Sequence, residues 1–259
     1  MEGWAIVNGV ESPLADACIP VTDLGFTHGY SVFETLVLGP GRDLSDHLER
    51  LARSADAAMI GHPGDDVLRA EVARVAERVG PGAIIRITLT GDGRRVLFGT
   101  PRDPSRRFSE IRCATEPCPR PTRHIDGTVK HRSRMDWIVA VRRHGVDEVI
   151  FVDDEGRITE GTTSAVLASL GGALLTAAWD GRILRSTTVA RLLRLADDIG
   201  IEVVREGPVA EGPFDALYVA STTRWISPVV ELDGRPLPSW DPVGLRLAGA
   251  LRERGFVLG

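Results

Sequence analysis

The chain has 259 residues, 43% hydrophobic and 26% charged, with 36 acids against 31 Lys and Arg and a net charge of −5. That length can bury a large core in one big domain or two of about 100–150 residues, the composition is that of an ordinary soluble globular protein, and the dispersed arginines form no basic footprint for nucleic acid. No apolar run approaches a membrane span, MEGWAIVNGV lacks the charged and apolar regions of a signal peptide, and Cys18, Cys113, Cys118 and the scattered histidines show no metal-ligand spacing, so a cytoplasmic protein without a metal site is expected.

Two strand-like stretches, WAIVNG and SVFETLVL, flank the loop VTDLGFTHGY. LSDHLERLARSADAAMIG follows, with Leu44, Leu48, Leu51, Ala55, Ala58 and Met59 at helical spacing. DDVLRAEVARVAERVG repeats that pattern, opening on acids and closing on Gly80 as helix ends prefer. Strands are expected at AIIRITLT and EIRCAT, separated by a loop, GDGRRVLFGTPRDPSRR. The proline-rich EPCPRPTRHIDGT reads as a linker. Beyond it come a helix in RMDWIVAVRRHG, a strand in DEVIFVDDEG, and short strands and turns through ITEGTTSAVLASLGGALLTA. The helix STTVARLLRLADDIG precedes the strands of IEVVRE and DALYVASTTRWISPVVELDG, and a helix near VGLRLAGALRERG closes the chain. These elements predict an α+β fold: an N-terminal α/β domain over 1–115, a linker over 116–127 and a C-terminal domain over 128–259, meeting at a cleft.

Lys130, in GTVKHRSRMDW, is the only lysine of the chain; every other cationic side chain of this type is arginine. Arginine replaces lysine as a surface charge but never as a neutral primary amine. Chemistry that needs such an amine, above all a Schiff base with a carbonyl compound, requires lysine. The plainer alternative is an arginine-biased composition in which one lysine survived by chance.

Four further stretches carry a resemblance. DLGFTHGYSVFE (Asp23 to Glu34), HLERLARSA (His47 to Ala55), EGTTS from Glu160, and STTRWISPVVELDG occur in order, with the lone lysine between the second and third. Together they resemble the fold type IV pyridoxal-phosphate enzymes, which include branched-chain and D-amino-acid aminotransferases and aminodeoxychorismate lyases. The resemblance runs through most of the chain. It implies a two-domain fold like that of D-amino-acid aminotransferase, with the active site in the cleft between the domains. It implies pyridoxal 5′-phosphate as cofactor, Lys130 as the Schiff-base lysine and proton carrier, and Glu160 as the partner of the pyridine nitrogen. Arg50 is expected at the phosphate; Arg53 is its equal by chemistry, and only the motif register selects Arg50. Thr187 and Thr188, opening a helix, and Thr222 are expected to give the phosphate hydroxyls and N–H groups, although such residues also serve simply as caps.

The loop with Phe26, His28 and Tyr30 is placed near the substrate, with Thr223 as a further contact; the alternative is that its aromatics pack beneath their own strand. A homodimer with sites at the subunit interface is implied. Subgroup signals conflict. RSTTV replaces the usual Pro-Gly-Ile/Val-Thr-Arg, Ala165 stands where an asparagine is common, and Met135 where branched-chain enzymes carry tyrosine. KH at Lys130–His131 and Arg134 resemble the lyases, with Ser133 for Asn, whereas SVFE resembles the branched-chain group. The expected activity is an aminotransferase acting between an amino acid or amine and a 2-oxo acid. The alternatives are an aminodeoxychorismate lyase, or a member that binds the cofactor or a partner without turnover.

Overall fold

A computed structural model of the chain describes residues 2–39, 44–103, 108–118 and 124–255. Asn8 and Gly9, at φ 49° and 88°, turn the chain between β1 (Trp4–Val7) and β2 (Val10–Pro13). An Asn-Gly pair is the two-residue turn whose twist suits a hairpin. Strand β1 pairs on its other side with β5 (Arg95–Thr100), which leads through β4 (Ile84–Thr90) to β3 (Ser31–Val37), all antiparallel. Strand β5 lies inside the stretch expected as loop. The glycines and arginines of that stretch masked a true alternation, in which Leu97 is buried and Val96 and Phe98 are half-buried.

The sheet has two unlike faces. Ile6, Val32, Leu36, Ile85, Ile87, Leu89 and Leu97 are buried beneath α2 (Leu44–Ala57) and α3 (Asp65–Val79), which contribute Leu48, Leu51, Ala55, Leu68, Val72 and Val75. Gly99 lets α3 approach closely: a Cβ there would lie 2.6 Å from Val75 Cγ1. The opposite face carries Phe33, Thr35, Arg86, Thr88, Val96 and Phe98, all half-buried.

The second sheet closes on itself. Strands β6 (Ile111–Pro117), β7 (Glu148–Val152), β8 (Ile158–Gly161), β9 (Ala165–Leu170), β12 (Ala216–Ser221) and β13 (Trp225–Leu232) form a ring, β9–β12–β13–β6–β7–β8 and back to β9. Its inward residues, among them Ile111, Cys113, Ile150, Val166, Leu217, Val219 and Val229, make one apolar core. Strands β10 (Ala173–Leu175) and β11 (Val203–Val204) extend the sheet from β9, and β14 (Arg235–Pro236) pairs with β13. Helix α4 (Met135–His144) connects the parallel strands β6 and β7 and packs on Val149 and Phe151. Helix α5 (Thr187–Asp198) covers β12 and touches α6 (Pro242–Glu253). Asp241 caps α6 by accepting from Gly244 N–H and also accepts the Tyr218 hydroxyl at 2.6 Å.

Among the described residues one compact unit comprises 2–39, 44–103, 128–133 and Gly255; the other comprises 108–118, 124–127 and 134–254. The boundary expected at 115 falls within β6, which pairs in parallel with β13 and β7 and so belongs to the second unit. Lys130, expected in the C-terminal domain, belongs to the first. Of the expected linker, Pro117 ends β6 and Cys118 N–H donates to Val152 O at 2.7 Å, while 119–123 lie outside the described residues. Among the described residues no helix is long and apolar enough to cross a membrane.

Candidate active site

Residues 130–132 lie along the free edge of β3. His131 forms an antiparallel bridge with Val32, Phe33 N–H donates to Lys130 O, and Arg132 N–H donates to Ser31 O, both at 3.0 Å. Side chains alternate across an extended strand, so Lys130 and Arg132 join Phe33 on the half-buried face. Lys130 Nζ stands 4.8 Å from the Phe33 ring centroid, and the guanidinium carbon of Arg132 stands 4.3 Å from it. The Lys130 N–H donates to Ser54 Oγ at 3.1 Å, which ties this segment to α2.

Glu34, next to Phe33, points the other way and is fully buried. Its carboxylate accepts from Arg50 Nε at 2.6 Å and Nη2 at 2.9 Å, and lies 2.8 Å from His47 Nδ1. Burial alone would raise the Glu34 pKa, but the charge of Arg50 and the hydrogen bonds from His47 and Arg50 hold it well below the usual carboxylate range. Arg50 and Arg53, equal by chemistry, are not equal in place. Arg50 is buried against Glu34, whereas Arg53 is exposed and pairs with Glu49 one turn earlier.

The loop before β3 forms a short helix, α1 (Leu24–Thr27), capped by Asp23, which accepts from Gly25 N–H, Thr90 Oγ1 and Arg94 Nε. Phe26 and His28 are exposed, the latter with Nδ1 2.7 Å from the Thr27 hydroxyl. Tyr30 donates its hydroxyl to Ala58 O at 2.7 Å, so the hydroxyl is spent within its own unit.

In the second unit, Glu160 of β8 accepts from Leu184 N–H at 3.2 Å, which joins it to the loop entering α5. Ser186 is the N-cap of α5 and accepts from Val189 N–H, so Thr187 and Thr188, both buried, are the first helical residues rather than the cap. Glu160 pairs with Ala165, and Ala165 with Ala220, so β12 runs on from this row into the turn holding Thr222 and Thr223. Thr223 Oγ1 is 3.4 Å from Ser221 Oγ. Trp225, buried, follows that turn at φ 65°, a strained conformation for a bulky residue that the surrounding core must hold.

Residues 31–232 match the family model for class IV amino-transferases. A Methanocaldococcus jannaschii protein named as a branched-chain-amino-acid aminotransferase is 30% identical, covering 88% of each chain. The D-alanine aminotransferase of Bacillus licheniformis is 22% identical over 92% of this chain and 91% of its own. A solved fold IV transaminase from Curtobacterium pusillum superposes with a TM-score of 0.82 and 28% identity, covering 96% of this chain and 98% of its own. The chain belongs to the class IV aminotransferases.

In this aminotransferase several residues matter that the sequence did not single out. Glu34, His47 and Ser54 organise Arg50 and the Lys130 segment. Glu148, at the start of β7, is 1% exposed and accepts from Thr163 N–H at 2.6 Å, Ser164 Oγ at 2.8 Å, Thr163 Oγ1 at 3.2 Å and Thr162 Oγ1 at 3.5 Å. It thereby fixes the TTS turn that follows Glu160. Gly161 makes room for it, since a Cβ there would lie 2.7 Å from Glu148 Oε1. A faint signal existed for Glu34, His47 and Ser54, which lie within the quoted motifs; an acid after Asp147 at the head of an apolar strand gave none for Glu148.

Proposed function

We propose that this protein is a pyridoxal-phosphate-dependent aminotransferase that moves an amino group between an amino acid or amine and a 2-oxo acid. The placement of Lys130 carries the reading. The only primary amine on a side chain is held by its own backbone on a half-buried face, against Phe33. The donor set fits the cofactor. An amine, a guanidinium, a helix start with buried threonines and a carboxylate match an aldehyde, a phosphate and a ring nitrogen. When bound, the cofactor supplies a carbonyl that joins amines and a ring that withdraws electrons from the adjacent carbon.

The chain's residues do the rest. Lys130 provides the amine and carries a proton to and from the substrate carbon. Arg50, oriented by Glu34, sets a fixed positive charge for the phosphate. The α5 N-terminus with Thr187 and Thr188, and the turn with Thr222, add N–H and hydroxyl donors. Glu160 keeps a proton on the ring nitrogen, and the backbone donor from Leu184 orients it. Thr223 and His28 serve the substrate, to which Tyr30 gives its ring and not its hydroxyl. The working form is a homodimer. Names of the relatives support transamination, and the lyase reaction remains the second reading on the strength of the KH pair.

A panel of D- and L-amino acids and amines, each added singly to the cofactor-loaded protein, tests this. A donor is expected to remove the long-wavelength absorption of the lysine-linked cofactor, and a 2-oxo acid to restore it. Pyruvate release from aminodeoxychorismate without an acceptor would select the lyase instead, and silence toward every compound would end both readings.

A further inference from the structure

Lys130 shares its face of the first sheet with a second cation. Its Nζ lies 4.8 Å from the Phe33 ring centroid, and the guanidinium carbon of Arg132 lies 4.3 Å from the same point. The two residues are alternate positions of one extended segment, so their side chains leave it on one side. Arg132 is held in place. Its Nη2 donates to Thr88 Oγ1 at 2.9 Å, and its backbone N–H donates to Ser31 O at 3.0 Å. Arg86 stands on the same face of β4, one alternate position from Thr88.

Among the described residues of the first unit, the charged groups of this patch are cations. Strand β3 contributes Phe33 and Thr35 to it, β4 contributes Arg86 and Thr88, and β5 contributes Val96 and Phe98. Helix α2 meets the segment through Ser54 Oγ, while its His47 and Arg50 lie with Glu34 on the other face. The acid at the rim, Asp23, accepts from Thr90 Oγ1 and is matched by Arg94. Burial lowers the pKa of Arg86 and of Arg132, and the charge of Arg86 lowers that of Arg132 further. Charges on this face are therefore poorly screened by water. The ring of Phe33 attracts either cation, but two like charges against one ring repel. Only one of them can yield. A guanidinium keeps its proton at any working pH, whereas an ammonium can release one to solvent.

We infer that Arg132 is a positioning residue that holds the Lys130 amine in its neutral, nucleophilic form, with Arg86 adding to the effect. The use of that amine for transamination rests on the aminotransferase reading. The charge relation between the two side chains does not.

Competitive labelling of the full-length chain with a trace of acetic anhydride, a neutral reagent, tests the inference. Lys130 is the only lysine, so its acetyl group is identified by peptide mass alone. The labelling rate follows the neutral fraction of the amine as pH rises. Its midpoint is expected at least about one pH unit below the value of about 10.4 for an unperturbed lysine. Arg132→Met should move the midpoint up by about one pH unit and cut the rate near neutral pH about tenfold. Arg86→Met should move it the same way by less. A role confined to packing would change the plateau rate at high pH and leave the midpoint in place. Should Arg132→Met fail to fold by circular dichroism, Arg132→Gln decides instead, since it removes the charge but keeps a donor for Thr88.

A parent midpoint equal to that of free lysine, or one that neither Arg132 variant moves, overturns the inference. Amino donors added to cofactor-loaded portions of the same proteins separate it from the reading on which it builds. A donor response with an unmoved midpoint refutes the role of Arg132 alone. A midpoint that moves as expected, without any donor response, keeps that role and refutes transamination.

Discussion

Glu34 in the first unit and Glu148 in the second are both buried carboxylates beside residues assigned to chemistry, and they are treated in opposite ways. Glu34 faces one cation, Arg50, through two hydrogen bonds, and the imidazole of His47. Glu148, equally buried, meets only hydroxyls and a backbone N–H among the described residues. In the first unit an acid is spent to aim a positive charge. In the second, neutral donors wrap an acid that in turn shapes the hairpin after Glu160. The first arrangement depends on charge balance, the second on the geometry of a turn, so the same change, Glu to Gln, should read differently at the two places.

Lys130→Arg is the most severe test, because it places a permanent cation against Phe33 and removes the one side chain able to react as a primary amine. Turnover is expected to vanish with the fold intact, and any residual rate at the wild-type level would show that the first unit contributes charge alone. Glu160→Gln should retain the cofactor but slow turnover by about two orders of magnitude, the scale of one preorganised electrostatic contact. A rate within a factor of a few of the parent would point to another group at the ring nitrogen.

Glu34→Gln should destabilise the protein by about 3–5 kcal/mol, since it leaves the Arg50 guanidinium buried without its counter-charge. The sign of its pH dependence follows from the lowered pKa. The stabilisation is present above the unfolded value of about 4.3 and is lost as pH falls through the folded value. Urea denaturation of parent and variant should therefore show a gap at neutral pH that narrows in acid; a gap independent of pH would contradict the charge-balance account. Glu148→Gln should be the mildest, about 1–3 kcal/mol, because an amide oxygen keeps one acceptor but turns donors toward donors. If its loss equals that of Glu34→Gln under the same denaturant series, the contrast between the two carboxylates collapses.

The amphipathic helices α2, α3, α5 and α6 were legible because each repeats apolar residues at helical spacing, and the lone lysine was legible by composition. Strand β5 was not, because Gly99 answers to the close approach of α3 and Arg95 to Glu71, partners distant in sequence. The turn at Asn8 and Gly9 was present in the letters, but WAIVNG reads as one continuous strand until the register is known. The domain boundary failed for a similar reason: where β6 belongs is decided by β13, more than a hundred residues later. Arg86 was visible only as an arginine amid AIIRITLT, an oddity whose meaning depends on which face of β4 it takes and on Arg132 arriving there. Motif order pointed to Arg50 and Glu160, whereas the groups that orient them lie outside their own motifs or at unremarkable places within them.

The return of 128–133 to the first unit has a consequence for the order in which the protein can be made. A nascent chain that has emerged only as far as Asp103 holds all five strands of its sheet, yet β3 still presents a bare edge, with Phe33 N–H and Ser31 O unanswered. Such an edge is a template for pairing with a neighbouring chain. It is covered only when the ribosome has added the segment that carries Lys130, after β6 of the second unit has already been made. The lysine therefore arrives as the last strand of a nearly finished sheet, and a truncated first unit would lack both its reactive amine and the cover for its own edge.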